Sequence, residues 1–133
     1  MDVQTCRELR NALAEEATEA VRYLLYAEQA YGEGHPDIGV LFERAARLEA
    51  LEHAREHALL LGDVGTTLEN LRSAIVTETA DATGLYPAFA RHAAAVGEEA
   101  VAVLLGDFAE EKARRLCEFR TAYNSLSQST RSA

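Results

Sequence analysis

Four stretches of this chain carry an apolar stripe at helical spacing, and all four stripes turn charged near mid-length. The first reads Leu9, Leu13, Glu16, Ala20, Tyr23, Ala27, and the second Ile38, Phe42, Ala45, Glu49, Glu52, Glu56, Leu59. The third reads Leu71, Ile75, Glu78, Ala82, Leu85, Phe89, with Asp81 beside it. The fourth reads Val101, Leu105, Phe108, Lys112, Arg115, Phe119. Spacings of three and four put each set on one face of an α-helix. One charged residue in an inward stripe is noise, but interruptions at one level in four stripes mark a site. The pattern therefore predicts an all-α four-helix bundle with ionisable groups at its middle.

Local signals place the helix ends. Thr5 and Glu8 have the spacing of a capping box for a first helix running to Tyr31, before Gly32 and Gly34. Pro36 suits the first position of a second helix, which Gly62 ends after Leu61. Thr66 and Glu69 form another capping box and open a third helix that reaches Gly97. Pro87 falls inside it and is expected to kink or break it after Tyr86. A fourth helix spans 98 to Tyr123. The domain is thus expected over 1–123, with 124–133 as a polar, frayed tail.

Composition narrows the function classes. The 133 residues suit one domain, and 13 Lys+Arg against 22 Asp+Glu give a net charge of −9. A surface that acidic is repelled by phosphate backbones, so nucleic acid is excluded as a partner. No apolar run approaches the ~20 residues of a membrane span and no signal-peptide core opens the chain, which points to no membrane partner and a cytoplasmic address. Cys6 and Cys117 are the only cysteines. Without a Cys-x-x-Cys pair there is no rubredoxin-type iron site in this sequence, and both thiols read as packing residues.

Three segments carry a resemblance to a known family. They are Glu16-Ala-Thr-Glu-Ala-Val-Arg22-Tyr23, Thr67-Leu-Glu-Asn-Leu71, and Glu78-Thr-Ala-Asp81-Ala-Thr-Gly-Leu-Tyr86-Pro87 with the following Phe89-Ala-Arg91. Together they resemble the rubrerythrin branch of the ferritin-like family, over roughly residues 5 to 122. The resemblance implies a ferritin-like bundle with two iron ions between its helices, and chemistry on peroxide or dioxygen. The implied ligands are a Glu on helix one, Glu-x-x-His on helix two, Glu-x-x-Glu on helix three and Glu-x-x-His on helix four. Carboxylates and imidazoles three residues apart project together from one helix face toward a shared metal.

This chain keeps part of that pattern. Glu16 and Glu78 match family ligands, and Asp81 stands where a second Glu is usual. A gapless match on helix two gives Glu49 and Glu52. His53 lies one residue late, and a one-residue π-bulge would bring it round, whereas the stripe periodicity favours Glu52. His53 and His57 otherwise read as helix-surface residues among charged neighbours. On helix four the match falls on Lys112 and Arg115, and a one-residue shift offers Glu111 and Arg114. No register supplies an imidazole there, since His92 is the last histidine.

The five matched acids outnumber the two cations by three charges, a costly surplus if buried. Two ferrous ions would face Lys112 and Arg115 cation to cation, so charge balance allows one iron or none and argues against two. Lys112 and Arg115 serve as charge compensators in this reading, although both are long enough to snorkel outward. Two functions follow. One is a metal-binding redox protein with an altered, single-ion centre and a separate electron donor. The other is a metal-free binding or structural protein in which the two cations replace the metal charge.

The family topology adds a constraint. Ferritin-like bundles run helices two and three parallel, so their link travels back along the bundle. A helix of about 26 residues is about 39 Å long. Five residues, Gly62–Thr66, reach at most about 20 Å. Either helix three folds straight back beside helix two, against the family topology, or helices one and two of one copy complete a bundle with helices three and four of another. The ligand pattern favours the second, a domain-swapped homodimer.

Overall fold

The computed structural model describes residues 1–131. Four helical rods account for almost all of them, and among the described residues there is no strand. The first rod is α1, Val3–Gly32. The second is α2, Pro36–Leu48, followed by a π-helical turn, Glu49–His53, and α3, Ala54–Leu61. The third is α4, Thr67–Ala80, a π-helical turn, Asp81–Leu85, and α5, Tyr86–Ala95. The fourth is α6, Glu99–Arg131.

Most ends follow the sequence signals. Pro36 opens α2, and Gly62 takes the left-handed conformation (φ 73°) that closes α3. The box at Thr66 is complete, with Glu69 N–H donating to Thr66 Oγ1 at 3.4 Å and Thr66 N–H donating to Glu69 Oε2 at 2.8 Å. The first cap differs from expectation. Asp2 Oδ1, rather than Thr5, accepts from the N–H groups of Gln4 (2.9 Å) and Thr5 (3.2 Å). A carboxylate there also complements the positive end of the helix dipole.

Pro87 does not end its helix. It follows directly on the π-helical turn, in the first turn of α5, where a missing backbone N–H is tolerated. The last helix runs past Tyr123 to Arg131, so the expected tail is helical over 124–131. Nothing in 124–131 is a glycine or proline, and extending an existing helix costs far less than starting one. Ser127 and Ser129 hydroxyls bond back to the carbonyls of Asn124 and Ser125. Residues 132 and 133 lie outside the described residues.

The chain divides into two compact units, Met1–Val64 and Gly65–Ala133. In unit 1, α1 packs on α2, its π-helical turn and α3. Ala20, Ala27, Ala30, Ala46 and Ala54 are buried there, small side chains that let the helix axes approach closely. Tyr23, Tyr26 and Phe42 cluster, Tyr26 meeting Phe42 edge-on at 5.5 Å. Gly39 lies under the Tyr31 ring, where a Cβ would fall 2.5 Å from Cε1. In unit 2, α6 packs on α4, the second π-helical turn and α5. Its buried residues are Ala93, Leu116 and one carboxylate, Glu78. Tyr86 contacts both Phe89 and Phe108 edge-on.

Candidate metal centre

The first π-helical turn sets the site in unit 1. Ala54 N–H donates to the carbonyl of Glu49, five residues back. The wider turn stacks residues four apart nearly in line, so Glu49 and His53 face the same way toward Glu16 on α1. His53 Nδ1 lies 2.8 Å from Glu49 Oε2 and 3.7 Å from Glu16 Oε2. One ligand atom from each of the three falls within 4.8 Å of the others. Glu52 is exposed and lines a shallow groove with Leu41, Arg44 and Leu48 instead. The stripe preference for Glu52 assumed a constant 3.6-residue period, and the extra residue in the turn exchanges Glu52 for His53.

Crowding perturbs these groups. A hydrogen bond to Glu49 raises the Glu16 pKa above its ordinary 4.5, desolvation and the Glu49 charge add to it, and His53 and His57 pull the other way. His53 is raised above 6.5 chiefly by its hydrogen bond to Glu49, against a desolvation penalty. Two carboxylates converging on an imidazole form a mixed oxygen and nitrogen donor set suited to a divalent first-row metal.

Unit 2 arranges its acids differently. Lys112 Nζ on α6 lies 3.2 Å from Glu78 Oε1 and 3.0 Å from Asp81 Oδ2. Arg115 Nη1 lies 3.4 Å from the same Glu78 oxygen. The bonds to Asp81 and then Glu78 raise the Lys112 pKa against desolvation. Glu78 Oε2 is buried without a hydrogen-bond partner. Of the two registers on α6, the structure brings Lys112 and Arg115 to the acids. Glu111 is exposed, and Arg114 pairs on the surface with Glu110 at 3.9 Å.

The donor set in unit 1 therefore fits one divalent cation. The acids of unit 2 do not fit another as they stand, because an ammonium and a guanidinium hold them. One histidine read as a surface residue is less exposed than expected. His57 is half-buried, its Nδ1 is enclosed without a partner, and its charge reaches Glu16. The available signal was its spacing, four residues after His53.

An all-α chain that projects carboxylates and an imidazole from π-helical turns belongs, by architecture, to the ferritin-like class. A profile of the Rubrerythrin family matches residues 8–114. Over 123 aligned residues the chain is 32% identical to a Rubrerythrin of Porphyromonas gingivalis (strain ATCC BAA-308 / W83), covering 83% of this chain. The chain spans 61% of that relative's length. It is a member of the Rubrerythrin family. Among the described residues no helix is long and apolar enough to cross a membrane.

Proposed function

We propose that the protein is a rubrerythrin-like redox protein acting on peroxide or dioxygen through one divalent ion, iron by family, held by Glu16, Glu49 and His53. The contrast between the two units carries this reading. Two carboxylates in unit 1, with a neutral imidazole, balance one divalent charge. In unit 2 Lys112 and Arg115 already balance Glu78 and Asp81, so a second ion would meet two cations. Bound iron supplies one-electron exchange with an oxygen substrate. The protein's own part is to bring Glu16 and Glu49 together and to orient His53 through Glu49. Lys112 and Arg115 keep the second set of acids electroneutral.

Reducing equivalents come from outside these residues, in which Cys6 and Cys117 form no rubredoxin-type module. The working form is a domain-swapped homodimer in the cytoplasm. Each unit is a helix pair that leaves large apolar side chains uncovered, among them Leu24, Leu25 and Leu41 in unit 1 and Val76 and Val103 in unit 2. A second copy supplies the missing half of each bundle and buries them.

Elemental analysis tests the centre, on protein as purified and again after anaerobic ferrous loading and desalting. One ion per chain supports the reading. Two would mean that Lys112 and Arg115 give way to metal. None after loading would leave a charge-bridged, metal-free binding or structural protein. Light scattering at low micromolar concentration tests the assembly, and a monomer there overturns the swap.

A further inference from the structure

The linker between the two units is tied down at both ends. Gly62 N–H donates to the Leu59 carbonyl at 3.1 Å and Asp63 N–H to the Ala58 carbonyl at 2.9 Å, which fastens the start of the linker to α3. Asp63 Oδ2 also lies 3.7 Å from Arg10 Nη1 on α1. The far end is fastened to α4. Thr66 belongs to the capping box, and Asn70 grips Gly65 at two points. Gly65 N–H donates to Asn70 Oδ1 at 2.8 Å, and Asn70 Nδ2 donates to the Gly65 carbonyl at 3.0 Å. A side-chain amide paired with a backbone in this way satisfies both polar groups of one residue and takes away its freedom to turn. Asn70 lies in the segment Thr67–Leu71 that carries part of the family resemblance, and the metal chemistry proposed above gives it no task.

Among the described residues of the linker, Val64 alone joins neither set of bonds, and the division of the chain falls directly after it. No turn or bend forms from Asp63 to Thr66, and Thr66 itself is extended (φ −63°, ψ 163°). A β-branched side chain at Val64 suits extended backbone and resists the left-handed conformations of a tight return loop. We infer that Asn70 and Val64 make the linker a swap-directing strut, in which the amide clamp on Gly65 holds the chain extended and keeps helices three and four from folding back on their own copy. The inference rests on the domain-swapped reading above and gives it a cause beyond linker length. Five unclamped residues would suffice for the short loop of an αα-hairpin. With both ends fixed, one residue is left to make the reversal, and valine is poorly suited to it.

Sedimentation of the full-length chain over a dilution series tests the inference, with urea added equally to all variants where the dimer persists on dilution. The wild type should sediment as a dimer. Asn70→Ala should weaken that dimer about tenfold, the cost of leaving one further residue to be ordered on assembly. Thr66→Ala is the control. It breaks the cap of the same helix in dimer and monomer alike but leaves the clamp, so its dimer affinity should match the wild type. Asn70→Ala with wild-type affinity overturns the inference and leaves the swap standing. An equal loss in both variants does the same, since the effect would then come from the stability of α4. Circular dichroism establishes that the Asn70 variant keeps its helices. Should it unfold, Val64→Gly decides, because it loosens the hinge and touches neither cap; a weakened dimer supports the inference and wild-type affinity overturns it. A wild type that sediments as a monomer overturns both the swap and the strut.

Discussion

The two units solve the same electrostatic problem in opposite ways. Each brings two carboxylates close together, Glu16 and Glu49 in one, Glu78 and Asp81 in the other. Unit 2 neutralises its pair from within, with Lys112 3.0–3.2 Å from both acids and Arg115 beside one of them. Among the described residues unit 1 has no lysine or arginine paired with Glu16 or Glu49, and the Glu16 pKa rises through its hydrogen bond to Glu49, with desolvation and the Glu49 charge adding to it. A helix pair that carries its own counterions is complete without a ligand. One that lacks them is where the proposed function places a cation, and that difference, rather than the number of acids, sets the two units apart.

Making unit 2 resemble unit 1 should have the largest effect. The double variant Lys112→Glu with Arg115→His removes both counterions and supplies two ligands, so bound iron should rise from one to two per chain by elemental analysis. No gain would show that α6 does not present these positions to a metal. In the opposite direction, Glu49→Gln removes a ligand and the partner that orients His53. Iron retained after desalting should fall by more than tenfold, with unit 2 unaffected.

Lys112→Ala should destabilise the protein by about 2 kcal/mol in chemical denaturation, because Glu78 is nearly enclosed and would keep only Arg115. Lys112→Met with Glu78→Gln should recover most of that loss, since the uncompensated charge goes with its partner. Recovery would confirm that the pair neutralises rather than binds.

The metal-free units should also differ in pH response. Glu16 and His53 both have raised pKa values in the fold. Their stabilising contribution is fully present below the ordinary values of 4.5 for Glu16 and 6.5 for His53, and it is lost as pH rises through the raised ones. Amide hydrogen exchange in unit 1, corrected for intrinsic rate, should therefore quicken from mildly acid to neutral pH. The raised Lys112 pKa keeps the unit 2 bridge intact past 10.5, so exchange there should stay level over the same range. Adding ferrous ion should erase the contrast. The smallest effect belongs to Thr66→Ala, which breaks the capping box of α4 at a cost of about 1 kcal/mol confined to unit 2.

Much of this was legible in the residues. The 3.6-residue stripes place four rods, the box at Thr66 and the glycine at position 62 place their ends, and the acid surplus against Lys112 and Arg115 foretells the paired half. Other features were not legible, for physical reasons. Asp2 rather than Thr5 caps α1 because several side chains there can satisfy the same N–H groups. Residues 124–131 stay helical because polarity alone does not stop a helix already under way. The exchange of Glu52 for His53 escaped a periodic reading because a π-helical turn breaks the period it relies on. His57 escaped it because charged neighbours in sequence conceal a nitrogen that folding encloses.

The π-helical turn at Glu49–His53 also makes the centre sensitive to chain length. A helix with one surplus residue is a helix that can lose it. Deleting Ala50 or Leu51 would let the rod relax to regular α-helix, because the residue lost is the one that the wider turn absorbs. His53 would then follow Glu49 by three residues, the spacing usual in the family, with no change in the chemistry of either side chain. A gain or loss of a single codon can thus retune the ligand set while every ligand is retained, and alignments made without gaps will pair the wrong residues at this position.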